Sequence, residues 1–420
     1  MLLKTVGEIG CASLSSFRFP AVSKVRATGA VKATGPNAAL IASTKMIKRI
    51  LLCCLVCVAF QSMSSAAEPP TSEAAQRRAL LMEGRYTELD RQMSGLQQAY
   101  GRGAISDEQL SGAFRAFYYS DSAMETKLDQ WVAEFPRSYA ALLSRGIYYM
   151  AMGWSRRGSK YARDTTDEQF AGMGAYQSMA LRDLSKSVEL DPKPILSYRE
   201  GIEIGKAQGM KKHNRVLLEQ ALRKDPQTVV VRRAYLKSLR SKWNGSPEEM
   251  AAFVDECRKA NVPAATLKEF SALAIADSGW VKIGKKDFAG AEKDYAQALS
   301  LNPDDRDALT QMGHVLIRQQ KYEQALGPLS KLISLEPRDT YALSARGSIY
   351  HRMKKSDQAA KDYAQAADLG DAYSENELGK FYWFGIAVRQ DKERALKLFR
   401  QAAEQGNKDA QNNLAWALTQ

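Results

Sequence analysis

The chain has 420 residues, 45% hydrophobic and 25% charged, which is ordinary for a soluble globular protein able to bury a large core without metals or disulfides. Its net charge of +13 is inflated by the N-terminus, where residues 1–67 hold eight Lys or Arg and one acid, so the remainder carries only +6. That mild, diffuse excess argues against a nucleic-acid-binding protein.

Residues 1–45 are basic and nearly acid-free, and they precede Met46-Ile47-Lys48-Arg49, the apolar run Ile50–Phe60 and small residues at Ser65 and Ala67. Met46–Ala67 has the layout of a secretory signal peptide, and its apolar run is too short to span a bilayer. The expectation is a periplasmic or secreted protein with no transmembrane span in the mature chain. Residues 1–45 read as a mis-set start or upstream extension, with an organelle transit peptide as the rival account. Four of the five cysteines lie in this leader, so Cys257 remains alone and no intramolecular disulfide is expected. Met250, Phe253 and Val254 share a helical face with Cys257, which marks it as a small buried residue.

From residue 68 to 263 the pattern is helical but irregular. Thr166–Gln169 and Ser246–Glu249 are capping-box signals, and Pro136, Pro192 and Pro226 each close an amphipathic segment. Two degenerate helical hairpins are predicted, Tyr139–Pro192 and Ile195–Pro226. The first holds a basic aromatic insertion with Trp154, Arg156, Arg157, Lys160, Tyr161 and Arg163. A basic stripe is predicted from Lys211, Lys212 and Arg215 on one helix and Arg233, Lys237 and Arg240 on the next.

From 264 to 371 three columns recur every 34 residues: Gly279, Gly313 and Gly347; Ala291, Ala325 and Ala359; Pro303 and Pro337, followed by Asp371. This period is that of a helix-turn-helix repeat. With Tyr295, Tyr322, Tyr350 and Tyr363, the columns resemble the tetratricopeptide repeat family. The third unit departs at Ser356 and Asp371, where an aromatic and a proline are usual, so a less rigid turn is expected there. Over 372–420 the period lengthens, and Leu378-Gly379, Tyr382, Gly385, Asp391, Ala395 and Ala402-Ala403 resemble a Sel-like repeat followed by a capping helix. The segment ahead of the repeats resembles an uncharacterised bacterial domain of unknown function.

The fold expected from these resemblances is all-α, a right-handed helical-hairpin solenoid of tetratricopeptide-like repeats. Such a fold presents a binding surface and seldom a catalytic centre. No nucleophile elbow, P-loop or zinc signature is present, so neither catalytic residues, nor a metal, nor a cofactor are assigned. His314 and His351 come from equivalent helices and are offset by about one turn, which does not suit a shared metal.

The function expected is an exported scaffold or adaptor that binds a protein or peptide. The alternatives are a cell-wall hydrolase framed by a helical toroid and a polyanion-binding envelope protein. In tetratricopeptide arrays the first helix of each repeat lines the concave face. Carried onto this sequence, that resemblance implies partner contacts at Trp280, His314, Arg318, Tyr341, His351 and Arg352. An apolar end at Trp280 and a cationic end at Arg318 and Arg352 imply a ligand with an acidic segment.

Overall fold

The structure is a computed structural model that describes residues 72–158 and 165–420. The leader, and with it the signal peptide, lies outside the described residues, as do Lys160, Tyr161 and Arg163 of the insertion. Every regular element among the described residues is helical, and the chain divides into two compact units between Gly245 and Ser246.

The first unit holds α1 (Glu73–Met82), α2 (Tyr86–Gly101), α3 (Asp107–Phe114), a 3-10 turn (Arg115–Phe117) and α4 (Ala123–Glu134). It continues with α5 (Tyr139–Arg157), α6 (Asp167–Leu190), α7 (Ile195–Ala207), α8 (Lys211–Lys224) and α9 (Val229–Ser238). The pairs α5/α6 and α7/α8 are the two expected hairpins. Thr166 and Gln169 form the full capping box at the start of α6.

Helices α1–α4 bury Trp131, Phe114, Phe117, Leu89 and Met93 almost completely. Polar side chains then tie them to the later helices of the unit. Asp107 at the start of α3 accepts hydrogen bonds from Thr228 Oγ1 at 2.8 Å and from the Val229 and Val230 amides at 2.6 and 2.9 Å. Thr228 makes no capping bond of its own, so a carboxylate from α3 satisfies the amides that would otherwise be orphaned at the start of α9.

The second unit holds α10 (Pro247–Lys259), α11 (Ala264–Gly284), α12 (Phe288–Leu301), α13 (Arg306–Arg318), α14 (Tyr322–Leu335) and α15 (Thr340–Arg352). After these come α16 (Ser356–Asp368), α17 (Ala372–Phe384), α18 (Lys392–Glu404) and α19 (Lys408–Ala417). Each helix packs on the next, the nearest-neighbour pattern of a hairpin solenoid. Ser246 caps α10, and Cys257 is buried beside Met250, Phe253 and Val254. Asp305, Asp339 and Asp371 cap α13, α15 and α17 through their side chains, a regular signal that proline spacing alone does not reveal.

The glycine column has a physical cause. A Cβ at Gly279 would stand 3.0 Å from the Tyr295 ring, and one at Gly347 would stand 3.0 Å from Tyr363. The same approach joins Gly146 to Leu184 and Gly201 to Leu217 in the first unit, so its hairpins nest as the repeats do.

A second feature recurs in each unit. Arg145 forms a two-pronged bond to Asp183, at 2.7 and 2.8 Å, and its guanidinium lies 5.9 Å from the centre of the Tyr149 ring. Arg346 does the same with Asp362, at 2.8 Å through both nitrogens, and lies 5.8 Å from the Tyr350 ring centre. The shared motif is Arg-Gly followed by a tyrosine one turn on, clasped to an aspartate of the second helix.

Candidate partner-binding face

The residues expected to meet a partner all lie in the second unit. Arg318 and Arg352 close α13 and α15 and are exposed. Among the described residues neither bonds a neighbouring acid. Instead Arg318 lies 5.4 Å from the Phe288 ring centre and Arg352 lies 5.7 Å from that of Tyr322. Each stacks on the first residue of the preceding second helix, which orients the planar guanidinium while its N–H edge stays open to a carboxylate.

His314 sits one turn before Arg318, half-buried, with Nδ1 lacking a hydrogen-bond partner. Burial, and then the Arg318 charge, push its pKa below the ordinary imidazole value. The unfolded chain therefore takes up this proton first as pH falls past about 6.5, and stability drops between that pH and the lower folded value. His314→Gln is expected to remove this share of the loss, seen as a flatter unfolding free energy between about pH 7 and 5. An unchanged slope would contradict it.

His351 is exposed and packs against Phe381 of α17, with ring centres 5.3 Å apart. Tyr341 is half-buried, and burial pushes its phenol up to about 12. Trp280 on α11 is also half-buried.

The large exposed aromatics of this unit lie at its other end: Tyr373 at 43% exposure, Phe384 at 58% and Trp416 at 44%. Tyr373 is joined to the α15 face through its hydroxyl, 3.1 Å from Ser348 Oγ. Trp416 packs on Phe384 at 6.1 Å and on Trp383 at 5.4 Å. The sequence reading missed these three. The signal was available, since Tyr373 stands at the second position of the Sel-like unit, as Tyr341 does in the unit before.

Several of the other candidates make local contacts. In the basic stripe Arg233 pairs with Glu108 at 2.6 Å and Arg215 with Glu219 at 2.9 Å. In the insertion, Arg157 lies over Trp154 and Phe170. Among the described residues no group of three or more His, Cys, Asp or Glu is placed to hold a metal ion. Nor is any helix there long and apolar enough to cross a membrane.

Three family models match the chain: a domain of unknown function (DUF4034) over 73–212, a tetratricopeptide repeat over 282–349 and a Sel1 repeat over 372–407. The chain therefore carries a domain of unknown function ahead of tetratricopeptide and Sel1 repeats. Repeats of these two kinds generally mediate protein–protein interaction. Solved structures with a similar fold include yeast Tom70, at 14% identity over 90% of this chain and 72% of that one, with a TM-score of 0.47. PilF of Pseudomonas aeruginosa is 18% identical over 53% of this chain and 96% of its own, with a TM-score of 0.37. A Sel1 repeat protein from Oxalobacter formigenes is 22% identical over 49% and 86%, with a TM-score of 0.33. Each is a likeness only, too remote to transfer a site.

Proposed function

We propose that this protein is an exported scaffold or adaptor that binds a protein or peptide on the concave face of its repeat block. The observation that carries this reading is the pairing, within one unit, of two ring-stacked arginines free of acid partners with a run of exposed aromatics. Aromatic and arginine side chains supply most of the binding energy at protein interfaces. The ligand that fits is an extended segment with an acidic stretch at Arg318 and Arg352 and an apolar anchor at Tyr373, Phe384 and Trp416. Tetratricopeptide and Sel1 scaffolds are typically non-catalytic, in line with a binding role.

The test is a binding titration with the partner recovered from the native compartment. Arg318→Ala with Arg352→Ala, and separately Phe384→Ala with Trp416→Ala, should each weaken affinity at least tenfold, about 1.4 kcal/mol, without unfolding the array. Unchanged affinity in both variants would remove the reading. Export is supported by the Met46–Ala67 layout. N-terminal sequencing of the secreted material should begin near Glu68, and an intact Met1 or Met46 would refute export by that signal.

A further inference from the structure

The turns of the repeat block are segregated by charge. Each turn from a first to a second helix is basic, namely 282–287, 318–321 and 352–355, with Asp287 as the sole acid. Each turn from a second helix to the next first helix is rich in acids, namely Asp304 and Asp305, Glu336 and Asp339, Asp368 and Asp371, with Arg338 as the sole base. Antiparallel helices of 13 or 14 residues, as in α13–α16, hold the two sets about 20 Å apart, beyond the screening length of about 8 Å at physiological salt. Contacts between neighbouring repeats show that the basic turns line one edge. Lys321 reaches Glu292 at 2.6 Å, and Arg318 and Arg352 each stack on the start of the preceding second helix. Lys282 and Lys321 are neutralised by Asp294 and Glu292. Lys285, Lys286, Arg318, Arg352, Lys354 and Lys355 are exposed and make no ion pair among the described residues.

The backbone gives an independent sign. All three basic turns close with the same hydrogen bond, from Asp287, Lys321 and Lys355 back to Lys282, Leu316 and Tyr350. This is the helix-ending motif that places one residue in left-handed geometry, where glycine is favoured. In the other turns that end an α-helix with this bond among the described residues, that residue is Gly84, Gly103, Gly209, Gly370, Gly385 or Gly406, and in one case Asn261. In the basic turns it is Lys286, Gln320 and Lys354, at φ of 63°, 61° and 60°. Two lysines thus hold a strained position that those other turns fill with glycine, or once with asparagine, which tolerates left-handed geometry, an outlier that points to a role beyond folding.

From the charge segregation and the strained lysines, we infer that this edge is an electrostatic docking strip for an anionic lipid surface. Over 282–287, 318–321 and 352–355 the strip has no exposed large apolar side chain, and Tyr373, Phe384 and Trp416 belong to the elements that follow it. A polypeptide partner draws its affinity from apolar and aromatic anchors. A charged leaflet needs only cations near its surface, each worth about fivefold in partitioning. A row of lysines at turn tips, opposite an edge where Glu336 and Asp304 are paired with Arg306 and Lys331 and no excess of base remains, suits a leaflet better than a peptide. The strip shares Arg318 and Arg352 with the protein-partner reading, and its test varies only the turn lysines, which that reading does not use.

The test is sedimentation of the full chain with vesicles of phosphatidylcholine alone and of equal parts phosphatidylcholine and phosphatidylglycerol. Binding is expected only to the mixed vesicles and should weaken as salt is raised. Lys286→Gly with Lys354→Gly should reduce partitioning about thirtyfold. The same pair should not lower the thermal midpoint, because glycine relieves the left-handed strain. Lys285→Gln with Lys355→Gln should give a similar loss with the strained positions intact. Undiminished vesicle binding in both double variants would overturn the inference. So would binding to polyglutamate with none to the mixed vesicles, which would mark an acidic polypeptide as the ligand.

Discussion

Arg346→Ala is expected to destabilise the repeat block by roughly 3–5 kcal/mol, the cost of stranding one partner of a buried ion pair. Both oxygens of Asp362 are held by Arg346, and the Asp362 side chain is only 7% exposed. Arg346 also donates to Ser330 Oγ at 3.1 Å, so the clasp joins three helices, α14, α15 and α16. Removing the guanidinium leaves the carboxylate with no cation and little water. Replacing both partners by apolar residues of similar size should recover most of the loss, because the pair's own desolvation cost disappears with it. Denaturant titration of the single and double variants measures this directly. A single-variant loss below about 1 kcal/mol would show the pair to be a solvated surface bridge.

Phe399→Ala is expected to cost a similar amount, about 3–5 kcal/mol, for a different reason. The ring is 1% exposed and lies over Gly379, where a Cβ would meet it at 2.7 Å. Because that side of the contact is a glycine, no neighbouring side chain can swing in to fill the hole, and the cavity term stays large. The damage should be local, since each helix of a solenoid touches mainly its neighbours. Amide hydrogen exchange should accelerate in α17, α18 and α19 and stay unchanged in the first unit. Uniform acceleration through the chain would contradict that locality.

The hairpins were legible because their nesting needs one small residue at a fixed place, and Gly279, Gly313 and Gly347 repeat it every 34 residues. The clasp was not legible. The Arg346 column holds Ser278 and Met312 in the two preceding repeats, so no period announces it. The packing of α1–α4 was hidden for a related reason. Asp107 serves residues about 120 positions away, through bonds that depend on the fold being formed.

At the candidate face, residue type pointed to Trp280, but exposure favours Tyr373, Phe384 and Trp416, beyond the change of period. The arginines were found by position. Their ring partners Phe288 and Tyr322 start the second helices, and in the third unit that place is Ser356. The αL lysines carry no sequence signal, because a lysine in a helix-ending turn looks like ordinary solvation until its φ is known.

Amide hydrogen exchange of the full chain, with and without a bound partner, tests the central claim most directly. If the first helices of the repeat block bind the partner, protection should rise in α13, α15 and α17 and at the Phe384 and Trp416 end of the unit. Protection confined to α1–α9, with the second unit unchanged, would contradict it.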